Sequence, residues 1–272
     1  SYYTVENAEQ FATGNYTVKV TPTATGNYVV AAPATAIEKQ WSIISKDAAT
    51  FDIAIDETNN VFTGKAVEPV VTVTDGTTVL TKDTQYTVEY TNNVNAGVGV
   101  VTVKGVKEGG YEGTRTATFT IEPKDIADLS FTAADQVYSG SAFTPVPAAD
   151  YVVDANTTWA LVAGKDFSAT YADNTNAGLA TITVNGLGNY KGQNTCTFDI
   201  AKKSLSELTM SVTDMVYNGS AQEPGVYMIY NGIILVAGQD FTPSWENNIN
   251  ATDQAKAKVE AIATSNYSGS NE

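Results

Sequence analysis

One twelve-residue pattern occurs three times in this chain, and that repetition limits the possible folds more than any other feature. Tyr86 to Gly97, Phe167 to Gly178 and Phe241 to Thr252 each carry aromatics at their first and fifth positions: Tyr86 and Tyr90, Phe167 and Tyr171, Phe241 and Trp245. Each then runs through Asn92-Asn93-Val94-Asn95-Ala96, Asp173-Asn174-Thr175-Asn176-Ala177 or Asn247-Asn248-Ile249-Asn250-Ala251. A worn version spans Tyr3 to Gly14, with Asn7 in place of the second aromatic. Alternation resumes after the turn, at Gly99, Val101 and Val103 and at Ala180, Ile182 and Val184. Period-two patterning around an Asn/Gly turn predicts a β-hairpin with one face buried.

The flanking marks recur as well. Tyr138-Ser139-Gly140 and Pro145 answer Phe62-Thr63-Gly64 and Pro69, and Tyr217-Asn218-Gly219 and Pro224 answer both. Asn27-Tyr28, Gly110-Tyr111, Asn189-Tyr190 and Asn266-Tyr267 precede a turn, and Phe119-Thr120-Ile121 and Phe198-Asp199-Ile200 close a last strand, with Trp41-Ser42-Ile43 in that place early on. The spacing of Gly64, Gly140 and Gly219 sets periods of 76 and 79 residues. Four segments follow: 1–46, lacking its first strands; 47–122 and 123–201, complete; and 202–272, lacking its last strand. Short strands at regular spacing, with no run of helical periodicity, predict an all-β tandem array of small antiparallel β-sandwiches, elongated and joined by short linkers. The third segment has roughly five extra residues between Asp150 and Thr158. Both ends cutting through a repeat leads us to expect export and anchoring segments outside these 272 residues. A fourth segment short of its last strand also raises strand exchange with a neighbouring subunit.

Composition narrows the function classes. The formal net charge of −15 disfavours nucleic acid and anionic membrane as partners, because phosphate binding requires Lys/Arg patches. No stretch approaches the roughly 20 apolar residues of a membrane-spanning helix. With no histidine, Ser–His and His–metal chemistry is excluded, and a single cysteine excludes a disulfide framework. Cys196 shares strand parity with Phe198 and Ile200 and reads as a small core residue. The acidic residues fall on turns and outward positions, which argues against a glycosidase carboxylate pair. The reading is non-enzymatic.

The ordered set Tyr-x-Gly-x-x-x-x-Pro, Asn-Asn-x-Asn-Ala-Gly, Gly-x-Gly-Asn-Tyr-x-Gly and Phe-x-Ile resembles the tandem immunoglobulin-like repeats of bacterial surface proteins, of the MBG or Tyr-Gly-x type. That resemblance covers nearly the whole chain. It implies an immunoglobulin-like fold, an extracellular or cell-surface setting in a large adhesin-like protein, and a stalk or adhesive role without catalytic residues. A surface filament or a phage fibre or decoration is the alternative setting, with a virion surface as the location.

Several residues are candidate sites. The Asn-rich turns suggest calcium, but they supply few carboxylates, whereas Asn side chains readily fix a turn through backbone hydrogen bonds. No cofactor is expected. Lys65 and Glu68 are the one possible start of a Lys–Asn crosslink, and the equivalent positions Ser141 and Ser220 lack the lysine. Tyr28, Tyr111, Tyr190 and Tyr267 read as packing residues whose hydroxyls reach backbone. Trp159, with Tyr151 and Asp154 in the insertion, is the strongest candidate for a glycan or host-protein contact. Tyr230 lies in a hairpin apolar on both faces, Tyr227–Leu235, which suggests contact with a neighbouring repeat of the same or an adjacent chain.

Overall fold

The computed structural model describes residues 2–7, 9–24, 27–30 and 35–272. It is all-β: many small, mostly antiparallel sheets, with Ala48–Thr50, Lys107–Gly109 and Leu205–Glu207 as the helical turns among the described residues. Two compact units divide between Pro123 and Lys124.

In the first unit, Tyr3–Glu6, Gly14–Pro22 and Ile37–Ile43 form an antiparallel sheet in which no strand residue is buried. Its first strand stops at Glu6, because Asn7 turns left-handed (φ 58°) where the other repeats place an aromatic. Asp52–Ile55, Val71–Asp75 and Thr78–Val79 make a second sheet, and Tyr86–Thr91, Gly97–Gly105 and Thr114–Ile121 a third. Phe51, Val73, Val101, Val103, Phe119 and Ile121 are buried. The opening pair Lys46–Asp47 lies parallel to Tyr111–Glu112.

The second unit repeats these pairings. Gln136–Val137, Gln193–Ala201, Gly178–Gly186 and Phe167–Ala172 form one four-stranded sheet in that order, the first contact parallel and the others antiparallel. Phe241–Glu246, Lys256–Ala261 and Ser270–Asn271 form the matching sheet of the fourth repeat. Register is kept: Tyr90 faces Val101, Tyr171 faces Ile182 and Trp245 faces Ala257. Lys124–Asp125 pairs with Tyr190–Lys191, and Lys203–Ser204 with Tyr267–Ser268. The extra residues of the third repeat lengthen the hairpin Asp150–Asp154 with Thr157–Ala160, whose counterparts are Val71–Asp75 with Thr78–Val79 and Val226–Tyr230 with Ile233–Ile234.

Each Asn-rich turn begins left-handed, at Asn92 (φ 54°), Asp173 (φ 55°) and Asn247 (φ 53°). Asn and Asp tolerate that region because their short polar side chains bond locally.

Candidate functional site

The recurring residues are engaged in fastening the fold. The second residue of each turn, an Asn, grips a segment 26 to 31 residues away. Asn93 Nδ2 donates to the Val67 carbonyl (3.1 Å) while Val67 N–H donates to the Asn93 carbonyl (2.7 Å). Asn174 does the same with Phe143 (2.7 and 2.8 Å), and Asn248 with Gln222 (3.0 and 2.8 Å). These amides donate to backbone carbonyls and so fix the turn to a distant segment. The fifth-position tyrosines act alongside them: Tyr90 Oη donates to the Pro69 carbonyl (2.6 Å) and Tyr171 Oη to that of Pro145 (2.9 Å). Trp245 has no hydroxyl for this role, and its buried Nε1 has no partner.

The lysine opening each repeat is also held at one repeating position. Lys46 pairs with the Asp75 carboxylate, which also accepts from Tyr111 Oη (3.4 Å). In the next two repeats a tyrosine ring replaces that carboxylate: Lys124 Nζ sits 5.7 Å from the centre of Tyr151, and Lys203 Nζ 5.5 Å from that of Tyr230. Cation–π attraction acts there beside an ion pair within the same segment, since Lys124 also pairs with Asp128 (3.3 Å) and Lys203 with Glu207.

Tyr151, Asp154 and Trp159 share the third repeat's hairpin, with Tyr151 directly opposite Trp159. Tyr151 also stacks edge-on with Tyr190 (6.3 Å), and Asp154 Oδ1 accepts from Asn156 N–H (2.9 Å) to fix its own turn. Trp159 is 43% exposed and lies on the same face of the hairpin as Tyr151. Tyr230 belongs to a separate hairpin in the fourth repeat, Val226–Tyr230 with Ile233–Ile234.

That hairpin meets the third repeat. Tyr230 Oη donates to the Tyr138 carbonyl and Asn231 Nδ2 to the Ser139 carbonyl, each at 3.1 Å. Asn266 Oδ1 accepts from Ala177 N–H (2.8 Å), and Asn266 Nδ2 donates to Asn176 Oδ1 (3.1 Å). Tyr138 packs edge-on against Tyr267, with centroids 5.6 Å apart. The turn that names the repeat and the Asn-Tyr pair before the last strand thus dock together. Sequence reading isolated both motifs but had no signal for their meeting.

The four packing tyrosines differ more than expected. Tyr190 and Tyr267 are buried, and burial raises both phenols, Tyr190 to about 12. Tyr111 gives its hydroxyl to a carboxylate rather than to backbone. Tyr28 is 71% exposed, in the N-terminal segment whose sheet buries nothing.

Cys196 lies on the inward face but is only half-buried, and partial desolvation raises its thiol. Asp166 departs from the outward pattern of the acids: it is buried, and Oδ2 accepts from Val162 N–H (2.9 Å). Asp240 repeats this bond to Val236 (2.8 Å), and Gln85 Oε1 bonds Thr81 N–H (2.8 Å). Among the described residues no cluster of three His, Cys, Asp or Glu could hold a metal, and no helix is long and apolar enough to cross a membrane. No family model matches the chain, and no curated protein matches it.

Proposed function

We propose that this chain is a non-enzymatic structural segment of a repetitive extracellular surface protein, a stalk whose immunoglobulin-like repeats act as spacers. Its principal partners are neighbouring repeats. The observation that carries this reading is the meeting of the third and fourth repeats. There Asn and Tyr side chains of the two repeats engage one another, through four hydrogen bonds and an edge-on tyrosine pair. Residue types that a ligand site would use are engaged in joining repeats, and the recurring lysines are engaged by Asp75, Tyr151 and Tyr230. A net charge of −15 suits a long solvated array.

The competing reading is a glycan- or protein-binding module built on Tyr151, Asp154 and Trp159, favoured by the exposure of Trp159 opposite Tyr151. One pair of measurements separates them. An antibody raised to the chain should label intact producing cells or particles without lysis, and a glycan array probed with the chain should stay blank. Glycan binding that Trp159→Ala abolishes and Tyr190→Phe leaves intact would replace the stalk by the binding module. Labelling only after lysis would remove the extracellular setting.

A further inference from the structure

The third repeat leaves one edge of its main sheet open. That sheet runs in the order Gln136–Val137, Gln193–Ala201, Gly178–Gly186, Phe167–Ala172, so Phe167–Ala172 is an outer strand. The Asp166 carbonyl accepts from Leu187 N–H (2.9 Å), on the side of Gly178–Gly186, whereas the Phe167 carbonyl accepts from Gly164 N–H (2.8 Å) on the other side. Peptide groups alternate in direction along an antiparallel pair. Ser168, Thr170 and Ala172 therefore bond to Gly178–Gly186, and Ala169 and Tyr171 turn their N–H and C=O groups outward. Among the described residues these outward groups have no main-chain partner.

The matching strands of the second and fourth repeats carry a guard at this edge. Tyr86–Thr91 has the exposed Glu89 where Thr170 stands in the third repeat. Phe241–Glu246 has Pro243 where Ala169 stands, and proline has no N–H to offer. Charge and proline are devices that keep sheet edges from pairing with one another. Phe167–Ala172 has neither: its residues are Phe, Ser, Ala, Thr, Tyr and Ala, and Ser168, Thr170 and Ala172 are exposed. It is an uncharged edge in a chain whose net charge is −15.

We propose that this edge pairs antiparallel with the same edge of a second copy of the chain, about a twofold axis through Thr170. Ala169 exchanges main-chain hydrogen bonds with Tyr171 of the second copy, and Tyr171 with Ala169 of the second copy, which joins the two sheets into one. A second copy is favoured over an unrelated strand because the edge is complementary to itself. Thr170 lies opposite Thr170, a favourable cross-strand pair, and Ser168 lies opposite Ala172, with no charge set against a like charge. The same operation would place Glu89 against Glu89 in the second repeat, and would find no donor at Pro243 in the fourth. Pairing is thus confined to the third repeat, and the contact closes as a dimer. So short a strand buries little area, and the association is weak. This goes beyond the stalk reading and does not depend on it.

The test uses the whole chain. Sedimentation velocity across a wide range of protein concentration should show a monomer–dimer equilibrium. Added salt should shift it toward dimer, because screening weakens the repulsion between two copies of net charge −15. Hydrogen exchange at the Ala169 and Tyr171 amides should slow as dimer forms, with Val88 and Tyr90 unchanged. Ala169→Pro, which brings in the proline of the fourth repeat, should raise the dimer dissociation constant about tenfold or more, since each copy loses a donor. Thr170→Glu, which brings in the glutamate of the second repeat, should raise it roughly threefold. Ala169 turns its N–H outward and Thr170 its side chain, so the melting temperature should stay unchanged in both. If one variant loses its fold, the other carries the comparison. Three results would overturn the proposal: a chain that stays monomeric at every concentration and salt, folded variants that dimerise as wild type does, or protection that falls outside Phe167–Ala172. A monomeric chain whose Ala169 and Tyr171 amides are protected only by an added extended peptide would also overturn it, assigning the edge to a strand of another protein.

Discussion

Ile233 occupies the space beside Gly140 that any larger residue there would need: a Cβ built on Gly140 would fall 2.0 Å from Ile233 Cδ1. Gly140 is also left-handed, at φ 82°. Gly219, its counterpart one repeat later, has a similar φ of 74° but only Tyr217 Oη near, at 3.9 Å.

Gly140→Ala should therefore cost more than Gly219→Ala. Both bear the left-handed penalty of about 1–2 kcal/mol, and only the first also collides with a side chain, adding about 1 kcal/mol. Urea unfolding of the two variants measures the difference. Ile233→Val, which lacks the colliding methyl, should abolish it in a double-mutant cycle. Equal costs would mean that Ile233 simply swings aside.

Asn174→Ala should destabilise the second unit by about 1–3 kcal/mol, because the Phe143 carbonyl loses its donor in a part-buried place. Asn174→Asp should be worse, since a carboxylate cannot donate and would face that carbonyl. Thermal melts of both variants check the order. Should Asp prove neutral and calcium raise its melting point, the turn would be acting as a cation ligand.

The Lys46–Asp75 pair is a mixed case, with the Asp75 side chain 13% exposed and that of Lys46 56%. Asp75→Ala should cost about 1 kcal/mol, part of it from Tyr111 losing its acceptor. Added salt should narrow the gap to wild type, as screening weakens the partly exposed pair. A gap that does not respond to salt would assign the cost to the Tyr111 hydrogen bond alone.

Alkaline titration should reach Tyr190 and Tyr267 last among the tyrosines. Tyr190 and Tyr267 hold their protons above the ordinary phenol value of 10.0 because burial disfavours the phenolate. A folded-state pKa above the unfolded one means that the folded chain binds the proton more tightly. The stability this contributes is fully present below pH 10 and is lost as pH climbs toward the folded values. Phenolate absorbance should therefore rise in two stages, the later one coinciding with unfolding between roughly pH 10 and 12. A single transition near 10 with the fold intact would contradict this.

Cys196 offers a simpler readout. With its thiol raised by partial burial, the reactive thiolate is scarce near neutral pH. Labelling by a disulfide reagent at pH 7.5 should be slow in the native chain and fast in urea. Equal rates would place the thiol in open solvent.

How much of this was legible in the sequence depends on the distance over which each interaction acts. The hairpins and their register follow from alternation and from Asn92, Asp173 and Asn247, all local signals. The Asn174–Phe143 clamp was not legible, because its partners lie 31 residues apart and no periodicity links them. The exchange of Asp75 for Tyr151 and Tyr230 was hidden because a carboxylate and an aromatic ring look unrelated until a lysine lies on each. Asp166 looked like any turn acid, and only burial revealed its bond to Val162 N–H. The hydrogen bond of Tyr230 to Tyr138 was not legible either, because its partners lie 92 residues apart.

The parallel pairing of Lys124–Asp125 with Tyr190–Lys191, and of Gln136–Val137 with Ile200–Ala201, has a mechanical consequence. When tension draws the two ends of this repeat apart, parallel neighbours must slide lengthwise, so their hydrogen bonds share the load in shear instead of unzipping singly. Lys46–Asp47 with Tyr111–Glu112 and Lys203–Ser204 with Tyr267–Ser268 are built the same way. Disrupting these two-residue pairings should therefore lower the force at which a repeat opens while leaving its buried core in place.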